Sequence, residues 1–211
     1  MDSLSLTPEQ IEAESFRIID HEAGDHDWPD RQWQVVRRVI HTSADFEYAS
    51  SMVFSEDAVE KAIKALKSGG GIITDTNMAL SGISKDRLKA WGCSVSCHVA
   101  DADVAEEARR QGITRSIAAM RKAAADPRNR IFVIGNAPTA LFELLRLSTL
   151  GHVTPELVIG LPVGFVGAEE SKNALASSQH IPAFITTMGR KGGSNVAAAV
   201  VNALAIMAGT P

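Results

Sequence analysis

The sequence predicts a three-layer α/β fold, flavodoxin-like, in which a five-stranded parallel sheet lies between two layers of helices. Five short apolar runs are rich in β-branched or aromatic residues and are bounded by Gly, Pro, Asn or Asp. Several of them lack alternation between apolar and polar residues, as is typical of strands covered on both faces. Segments with helical periodicity separate most of the runs, which indicates parallel strands joined by crossover helices. The predicted strands are residues 71–75, 93–99, 130–135, 157–161 and 183–187.

Several helix ends can be predicted from the sequence. Residues 7–10, TPEQ, have the order of an N-cap, a proline at the first helical position and a capping-box partner, and Gly24 is a helix stop. A second helix is expected over about residues 29–41. Ser55 is expected to cap the next helix, and an alanine-rich helix is expected over residues 194–207.

A chain of 211 residues fits a single domain. No internal repeat, low-complexity tract or linker divides it. Two helices precede the first predicted strand, which is unusual for a doubly wound sheet. We therefore interpret residues 1–53 as an N-terminal helical arm and residues 54–211 as the parallel-sheet core of one α/β domain.

The composition argues against several classes of protein. The formal net charge of −4 disfavours broad affinity for nucleic acid, which depends on an excess of Lys and Arg. Two cysteines cannot build a disulfide framework, and the N-terminal sequence lacks the features of a signal peptide. No apolar stretch approaches the ~20 residues that a membrane span needs. We expect a cytoplasmic protein with no nucleic-acid or membrane partner.

In open parallel α/β sheets, ligands bind beyond the C-terminal ends of the strands. Polar residues, Gly and Pro are concentrated in the loops that leave the predicted strands, although the same residue types also form ordinary strand-to-helix turns. We expect the functional site at this edge of the sheet. The five loops begin at Asp75, Ala100, Asn136, Pro162 and Met188.

Residues 189–194, GRKGGS, which we call the glycine-rich loop, suggest an anion site. The glycines let the backbone approach a ligand, the following helix presents unpaired amides, and Arg190 and Lys191 add positive charge. The spacing of a Walker loop is absent. These residues fit an anion site and a plain helix-entry turn equally well.

Arg115 is a second candidate for anion binding. Thr114 has the position of an N-cap, so Arg115 would lie in the first turn of a helix, where its charge opposes the helix dipole. A bound anion would remove this conflict and would be held by both the amides and the guanidinium. An arginine that simply points into solvent is the alternative.

His41 is the strongest candidate for acid catalysis among the six histidines. It ends a predicted helix, and a helix C-terminus favours the protonated imidazole that a general acid needs. Asp45 is close enough in sequence to orient it or to pair with its charge. Alternatively, His41 is a surface histidine that complements the helix dipole.

Ser15, on the apolar stripe of the first helix, could contact a ligand or donate a hydrogen bond to a carbonyl of its own helix.

A metal site is not expected. On a strand, Cys93 and Cys97 would face one side and His98 the other. No second CxxC or HxxxH motif completes a set of ligands.

Ordered motifs along nearly the whole chain resemble the precorrin-8X methylmutase family of cobalamin biosynthesis. The resemblance extends from Pro8 to the glycine-rich loop and includes the segment around His41. So many matches in order are more specific than any one motif. They include RRVIHTSADFEY, GNAPTALFE, LPVGFVGAEESK and GRKGGSNVAAA.

The resemblance implies an isomerase that moves a methyl group from C-11 to C-12 of a corrin-type macrocycle by an acid-assisted sigmatropic shift. It implies no cofactor, a tetrapyrrole polycarboxylate substrate (precorrin-8X or cobalt-precorrin-8) and a homodimer. The product is hydrogenobyrinate or cobyrinate, and His41 is the acid. The expected substrate-binding residues are Ser15, Asn77, Arg115, Asn136 and Arg190.

Two other functions stay open from the sequence. A non-catalytic corrinoid-binding protein would bind the same pigment without turnover. A flavodoxin-like enzyme that acts on phosphorylated metabolites through the glycine-rich loop would bind a phosphometabolite and no tetrapyrrole.

Overall fold

The computed structural model describes residues 6–209. Residues 1–5 and 210–211, which belong to the predicted domain, lie outside this range. The helices are α1 Pro8–Ala23, α2 Asp30–Ser43, α3 Tyr48–Ser51, α4 Ala58–Lys67, α5 Asn77–Gly82, α6 Lys85–Lys89, α7 Ala102–Gln111, α8 Arg115–Ala124, α9 Pro138–Thr149, α10 Ala168–Ala176 and α11 Ser194–Gly209. The strands are β1 Met52–Phe54, β2 Gly70–Thr74, β3 Cys93–Cys97, β4 Asn129–Ile134, β5 Leu157–Gly160 and β6 Phe184–Thr187.

The six strands of the described chain form one sheet in the order β1-β6-β5-β4-β2-β3. Strand β1 is antiparallel to β6, and the other neighbours are parallel. All five predicted runs contain strands, but the prediction of a five-stranded parallel sheet is wrong because β1 adds a sixth strand at one edge. Three residues are too few to establish strand periodicity. Only long-range pairing, such as Met52 with Thr187, defines this strand.

Helices cover both faces of the sheet. In β4, Ile131 and Val133 belong to one buried core, whereas Phe132 and Ile134 belong to a second core on the other face. The first core includes apolar residues of α2, α4 and α11, and the second includes residues of α8, α9 and α10. The prediction of helices on both faces of a mostly parallel sheet is therefore confirmed.

The two N-terminal helices differ in how deeply they are buried. Val36, Val39 and Ile40 of α2 are buried and share a core with Val196 of α11. In contrast, Ile19 is the buried residue that α1 contributes. Helix α2 is thus fixed by the core, and α1 covers it from outside.

Most helix ends follow their sequence signals. Thr7 forms a capping box at the start of α1, and Gly24 follows its end with φ of 66°. The Thr114 hydroxyl accepts a hydrogen bond from the Ile117 N–H at 3.2 Å and so caps α8. Within residues 6–209, no helix is both long and apolar enough to span a bilayer.

The expectation that Ser55 caps a helix is wrong. Helix α4 begins after Asp57, which has φ of 54° and makes no side-chain cap. The Ser55 Oγ instead accepts a hydrogen bond from the Phe184 N–H at 3.0 Å. Ser55 therefore extends the pairing between β1 and β6, a long-range contact that no local signal predicts.

Candidate active site

Asp75 connects two of the loops at the C-terminal ends of the parallel strands. It follows β2 and is only 2% exposed. Its carboxylate accepts hydrogen bonds from the N–H groups of Gly135, Asn136 and Ala137 at 2.9, 2.9 and 2.7 Å. Burial raises the pKa of Asp75, and these three amides oppose the rise. The contacts make Asp75 a structural anchor of the loop that follows β4.

Ser194, the first residue of α11, brings the loops after β2 and β4 against the glycine-rich loop. Its Oγ lies 2.7 Å from Thr76 Oγ1. A Cβ on Gly135 would lie 2.6 Å from the Ser194 Cα, so the close approach requires glycine. Asn77 and Asn136 adjoin these contacts, and both are exposed. Two of the predicted substrate-binding residues therefore lie near the glycine-rich loop.

Arg115 lies near the start of α9. It is the exposed first residue of α8. Thr114 Oγ1 is 3.3 Å from the hydroxyl of Thr139, which is in the first turn of α9. Because the N-termini of α8 and α9 are neighbours, their first-turn amides and the Arg115 guanidinium together favour an anion.

Lys191 of the glycine-rich loop is held by the segment that follows α2. Its Nζ lies 2.5 Å from Asp45 Oδ2 and 2.7 Å from Glu47 Oε2. Hydrogen bonding to these carboxylates raises the pKa of Lys191 above its ordinary value, and the Lys191 ammonium lowers the pKa of Asp45. Asp45 thus pairs with Lys191 rather than with His41. The positive charge of Lys191 is balanced by these two carboxylates, so Arg190 is the stronger candidate in this loop for binding an anion.

The main chain of the glycine-rich loop is fixed as well. The buried Tyr48 donates its hydroxyl to the Gly192 carbonyl at 3.4 Å. The Lys172 Nζ donates to the Lys191 carbonyl at 2.6 Å. A Cβ on Gly192 would lie 2.2 Å from the Leu161 carbonyl oxygen, so this position requires glycine. These contacts give the loop a defined conformation.

Apolar side chains are exposed at the same edge. Met78 follows β2, Phe165 and Val166 follow β5, and Met188 follows β6; their exposed fractions are 69%, 84%, 89% and 43%. The Arg190 guanidinium carbon lies 5.6 Å from the centre of the Phe165 ring, a cation–π contact. Exposed apolar surface beside a cation suits a large ligand with apolar faces and anionic groups.

His41 lies in the last turn of α2, as predicted, and is exposed in the single chain. Its ring packs edge-on against Phe16, with 5.3 Å between the ring centres. The guanidinium groups of Arg37 and Arg38 lie 4.4 and 4.7 Å from the centre of the Phe16 ring. Arg38 also pairs with Glu12, and this hydrogen bond lowers the pKa of Glu12. The contact with α1 fixes one side of the His41 imidazole.

Ser15 adjoins Phe16 on α1. Its Oγ donates a hydrogen bond to the Ile11 carbonyl at 2.8 Å, which is the local alternative that the sequence allows. Ser15 is half-buried between the exposed side chains of Ile11 and Ile18. Its hydroxyl oxygen can still accept a hydrogen bond.

A series of contacts links the elements that carry the predicted site residues. Thr114 joins α8 to α9, Ser194 joins the loops after β2 and β4 to α11, and Lys191 joins the glycine-rich loop to the end of α2. Phe16 then joins α2 to α1. In the same order, these linked elements and loops carry Arg115, Asn136, Asn77, Arg190, His41 and Ser15.

Residues 10–207 match the family model described as precorrin-8X methylmutase. The chain belongs to this family. As a methylmutase it is an isomerase, an intramolecular methyl transferase of cobalamin biosynthesis. The match includes every predicted site residue.

Individual relatives agree with this membership. The chain is 49% identical to the cobalt-precorrin-8 methylmutase of Priestia megaterium over 97% of its own length and 90% of that protein. It is 39% identical to the precorrin-8X methylmutase of Pseudomonas aeruginosa, over 92% and 93% of the two chains. The crystal structure of the precorrin-8X methylmutase from Thermus thermophilus has a TM-score of 0.87 and 41% identity, and the match covers 95% and 96% of the two chains.

Sequence reasoning missed two features of this candidate site. The burial of Lys172 is one, because a lysine in a polar helical segment is usually exposed. The exposed apolar residues were not singled out either, although Phe165 and Val166 stand between glycines in the segment VGFVG. Apolar residues in a glycine-bounded loop were the available signal.

Proposed function

We propose that this protein moves a methyl group from C-11 to C-12 of precorrin-8X or cobalt-precorrin-8, giving hydrogenobyrinate or cobyrinate. The names of the relatives from Priestia megaterium and Pseudomonas aeruginosa support both substrates. In this isomerisation one C–C bond breaks at C-11 and one forms at C-12. The reaction is redox-neutral and carries its own methyl group, so the proposal includes no cofactor and no protein-bound metal.

The observation that carries this proposal is a group of acidic, cationic and apolar candidate residues on elements that contact one another. An acid candidate (His41), two cationic side chains (Arg115 and Arg190) and exposed apolar side chains such as Phe165 all belong to it. A tetrapyrrole polycarboxylate has a broad apolar ring and several carboxylate arms. These residues match both parts of that substrate.

His41 is the proposed general acid. It lies in the last turn of α2, and its contact with Phe16 fixes the ring. It donates a proton to the macrocycle and so starts the methyl migration. Because substrate and product are isomers, a proton must return before the next turnover. General acid catalysis typically contributes about 10²–10⁴-fold to a rate.

The remaining site residues bind the carboxylate arms. Arg115 and Arg190 present guanidinium groups that can hold a carboxylate through two hydrogen bonds. Asn77 and Asn136 have amide donors at the same edge. Ser15 exchanges its hydrogen bond to the main chain for one to the substrate.

We propose a cytoplasmic homodimer that does not bind nucleic acid, in which the second copy completes the cleft over His41. Exposed Ile11 and Ile18 on α1 supply apolar surface for this contact. Residues 1–53 are the proposed arm of one domain, with residues 54–211 as its core. Counted in chain order, the five parallel strands lie in the order 2-1-3-4-5, which supports the flavodoxin-like description.

The test is a spectral assay of the purified protein with precorrin-8X and cobalt-precorrin-8, presented separately. We expect the absorption spectrum of at least one to change to that of its methyl-shifted isomer. Binding of both tetrapyrroles without conversion of either would favour the non-catalytic corrinoid-binding protein. Light scattering should give twice the 22.5 kDa mass of one chain; the mass of one chain would overturn the homodimer.

A further inference from the structure

Lys172 is buried in α10 although its side chain is ionisable. It is 0% exposed, and burial lowers its pKa to about 8. Glu169, an exposed residue of the same helix, opposes this lowering but does not abolish it. A desolvated ammonium without a close carboxylate opposes folding. Its hydrogen-bond partner therefore indicates which structural role the buried lysine has.

The Lys172 ammonium is directed at the main chain of the glycine-rich loop. Its Nζ donates to the Lys191 carbonyl at 2.6 Å. The carbonyl one residue earlier accepts a hydrogen bond from the Gly164 N–H at 3.1 Å, and the carbonyl one residue later accepts from the Tyr48 hydroxyl at 3.4 Å. Donors from three separate segments thus hold three successive carbonyl groups of the loop.

This arrangement sets the direction of the amide groups. In a planar trans peptide, the carbonyl and the following N–H point in opposite directions, and the described chain has no cis peptide. The N–H of Lys191 therefore points away from Gly164, and the N–H of Gly192 points away from Lys172. Within residues 6–209, neither N–H donates to another backbone carbonyl. Lys191 and Gly192 are the first and second residues after Arg190.

We propose that Lys172 is a positioning residue, which holds the Lys191 carbonyl and thereby aims the N–H groups of Lys191 and Gly192 at a carboxylate bound by Arg190. Successive amides aimed at one point form an anion-binding concavity, to which the guanidinium adds full charge. The inference rests on the proposed function, because the carboxylate belongs to the tetrapyrrole.

The test compares Lys172→Met with the unchanged protein. Methionine keeps the length and apolar volume of the side chain but removes its charge and its hydrogen bond. We expect KM, and the Kd for hydrogenobyrinate, to rise about tenfold. The kcat should stay within about twofold, because His41 is untouched, and the Tm should hold or rise, because a desolvated charge is gone. Lys64→Met, at an exposed position on α4, is the matched control and should change neither constant.

Two further variants link the effect to the loop. Lys172→Gln keeps a donor without the charge and should recover part of the affinity. In an Arg190→Ala background, Lys172→Met should add little further loss, because the carboxylate has already lost its main contact. Unchanged KM and Kd in Lys172→Met, or an undiminished loss in the Arg190→Ala background, would overturn the positioning role and leave the methyl shift intact. If the unchanged protein neither converts precorrin-8X nor binds hydrogenobyrinate, the proposed function fails first and the positioning role fails with it.

Discussion

The Lys191 Nζ lies 2.5 Å from the Asp45 Oδ2, a contact between residues 146 positions apart in the chain. It joins the glycine-rich loop, which contains Arg190, to the segment that directly follows α2, which contains His41. The side chains of Lys191 and Asp45 are 40% and 31% exposed, so solvent screens the pair and it contributes little to stability. Its main consequence is positional, because it connects the candidate acid to the candidate anion site.

We expect Asp45→Asn to lower stability by about 0.5–1 kcal/mol at neutral pH and to have no effect in acid. The pKa of Asp45 is lowered in the folded protein, mainly by its hydrogen bond from Lys191. Its stabilisation is therefore complete above the unfolded-state pKa near 4 and is lost as pH falls through the folded-state pKa. Thermal denaturation between about pH 3 and pH 7 should give Tm values that differ at neutral pH and converge in acid. Asp25→Asn, in an exposed loop, is the control; a Tm difference independent of pH would contradict the ion pair as the cause.

We expect His41→Gln to lower kcat by about 10²–10⁴-fold while binding of hydrogenobyrinate is retained. Glutamine keeps a polar side chain of similar size but cannot act as an acid near neutral pH. The measurement is the spectral assay under single-turnover conditions, together with a product titration. His152→Gln, exposed in the loop before β5, should keep full activity. Near-parental turnover of His41→Gln would remove His41 from the mechanism.

We expect Arg115→Ala to weaken the binding of hydrogenobyrinate by about tenfold or more, with little change in Tm. The guanidinium is exposed at the start of α8, where it opposes the helix dipole, so its removal should not destabilise the fold. Arg115→Lys keeps the charge but loses the paired donors and should restore only part of the affinity. Arg109→Ala, at an exposed position in the last turn of α7, is the control. An unchanged Kd for Arg115→Ala would mean that Arg115 only points into solvent.

Local signals predicted most of the fold. Runs of β-branched residues located β2 to β6, and caps such as Thr7, Thr114 and Gly24 located helix ends, because these features depend on neighbours within one turn or strand. Strand β1 has only three residues, and Ser55 acts through a partner 129 positions away. Neither is determined by its own neighbours, so neither could be predicted locally.

The partners in the site were harder to predict than its residues. Asp45 follows His41 closely in sequence, but Ala44 has φ of 52° in the left-handed region, where the chain turns at the end of α2. Asp45 then pairs with Lys191. Lys172 lies in a segment whose charged residues predict a solvent-facing helix, and only the packing of α10 buries it. Such contacts depend on how distant segments pack.

The burial of Lys172 should also appear in the pH dependence of stability. Its pKa is about 8 in the folded protein and about 10.4 in an unfolded chain. Between these pH values the unfolded chain binds more protons than the folded protein. The free energy of unfolding of the unchanged protein must therefore rise with pH relative to that of Lys172→Met. The buried ammonium costs of order 3 kcal/mol at neutral pH, and this cost is relieved as pH increases from about 8 to about 10.5. Urea unfolding of both proteins at several pH values in this range should therefore show that the free energy of unfolding of the unchanged protein increases relative to that of Lys172→Met. Lys64→Met should show no such trend. A stability difference that stays constant across the range would mean that Lys172 carries no desolvated charge in the folded state.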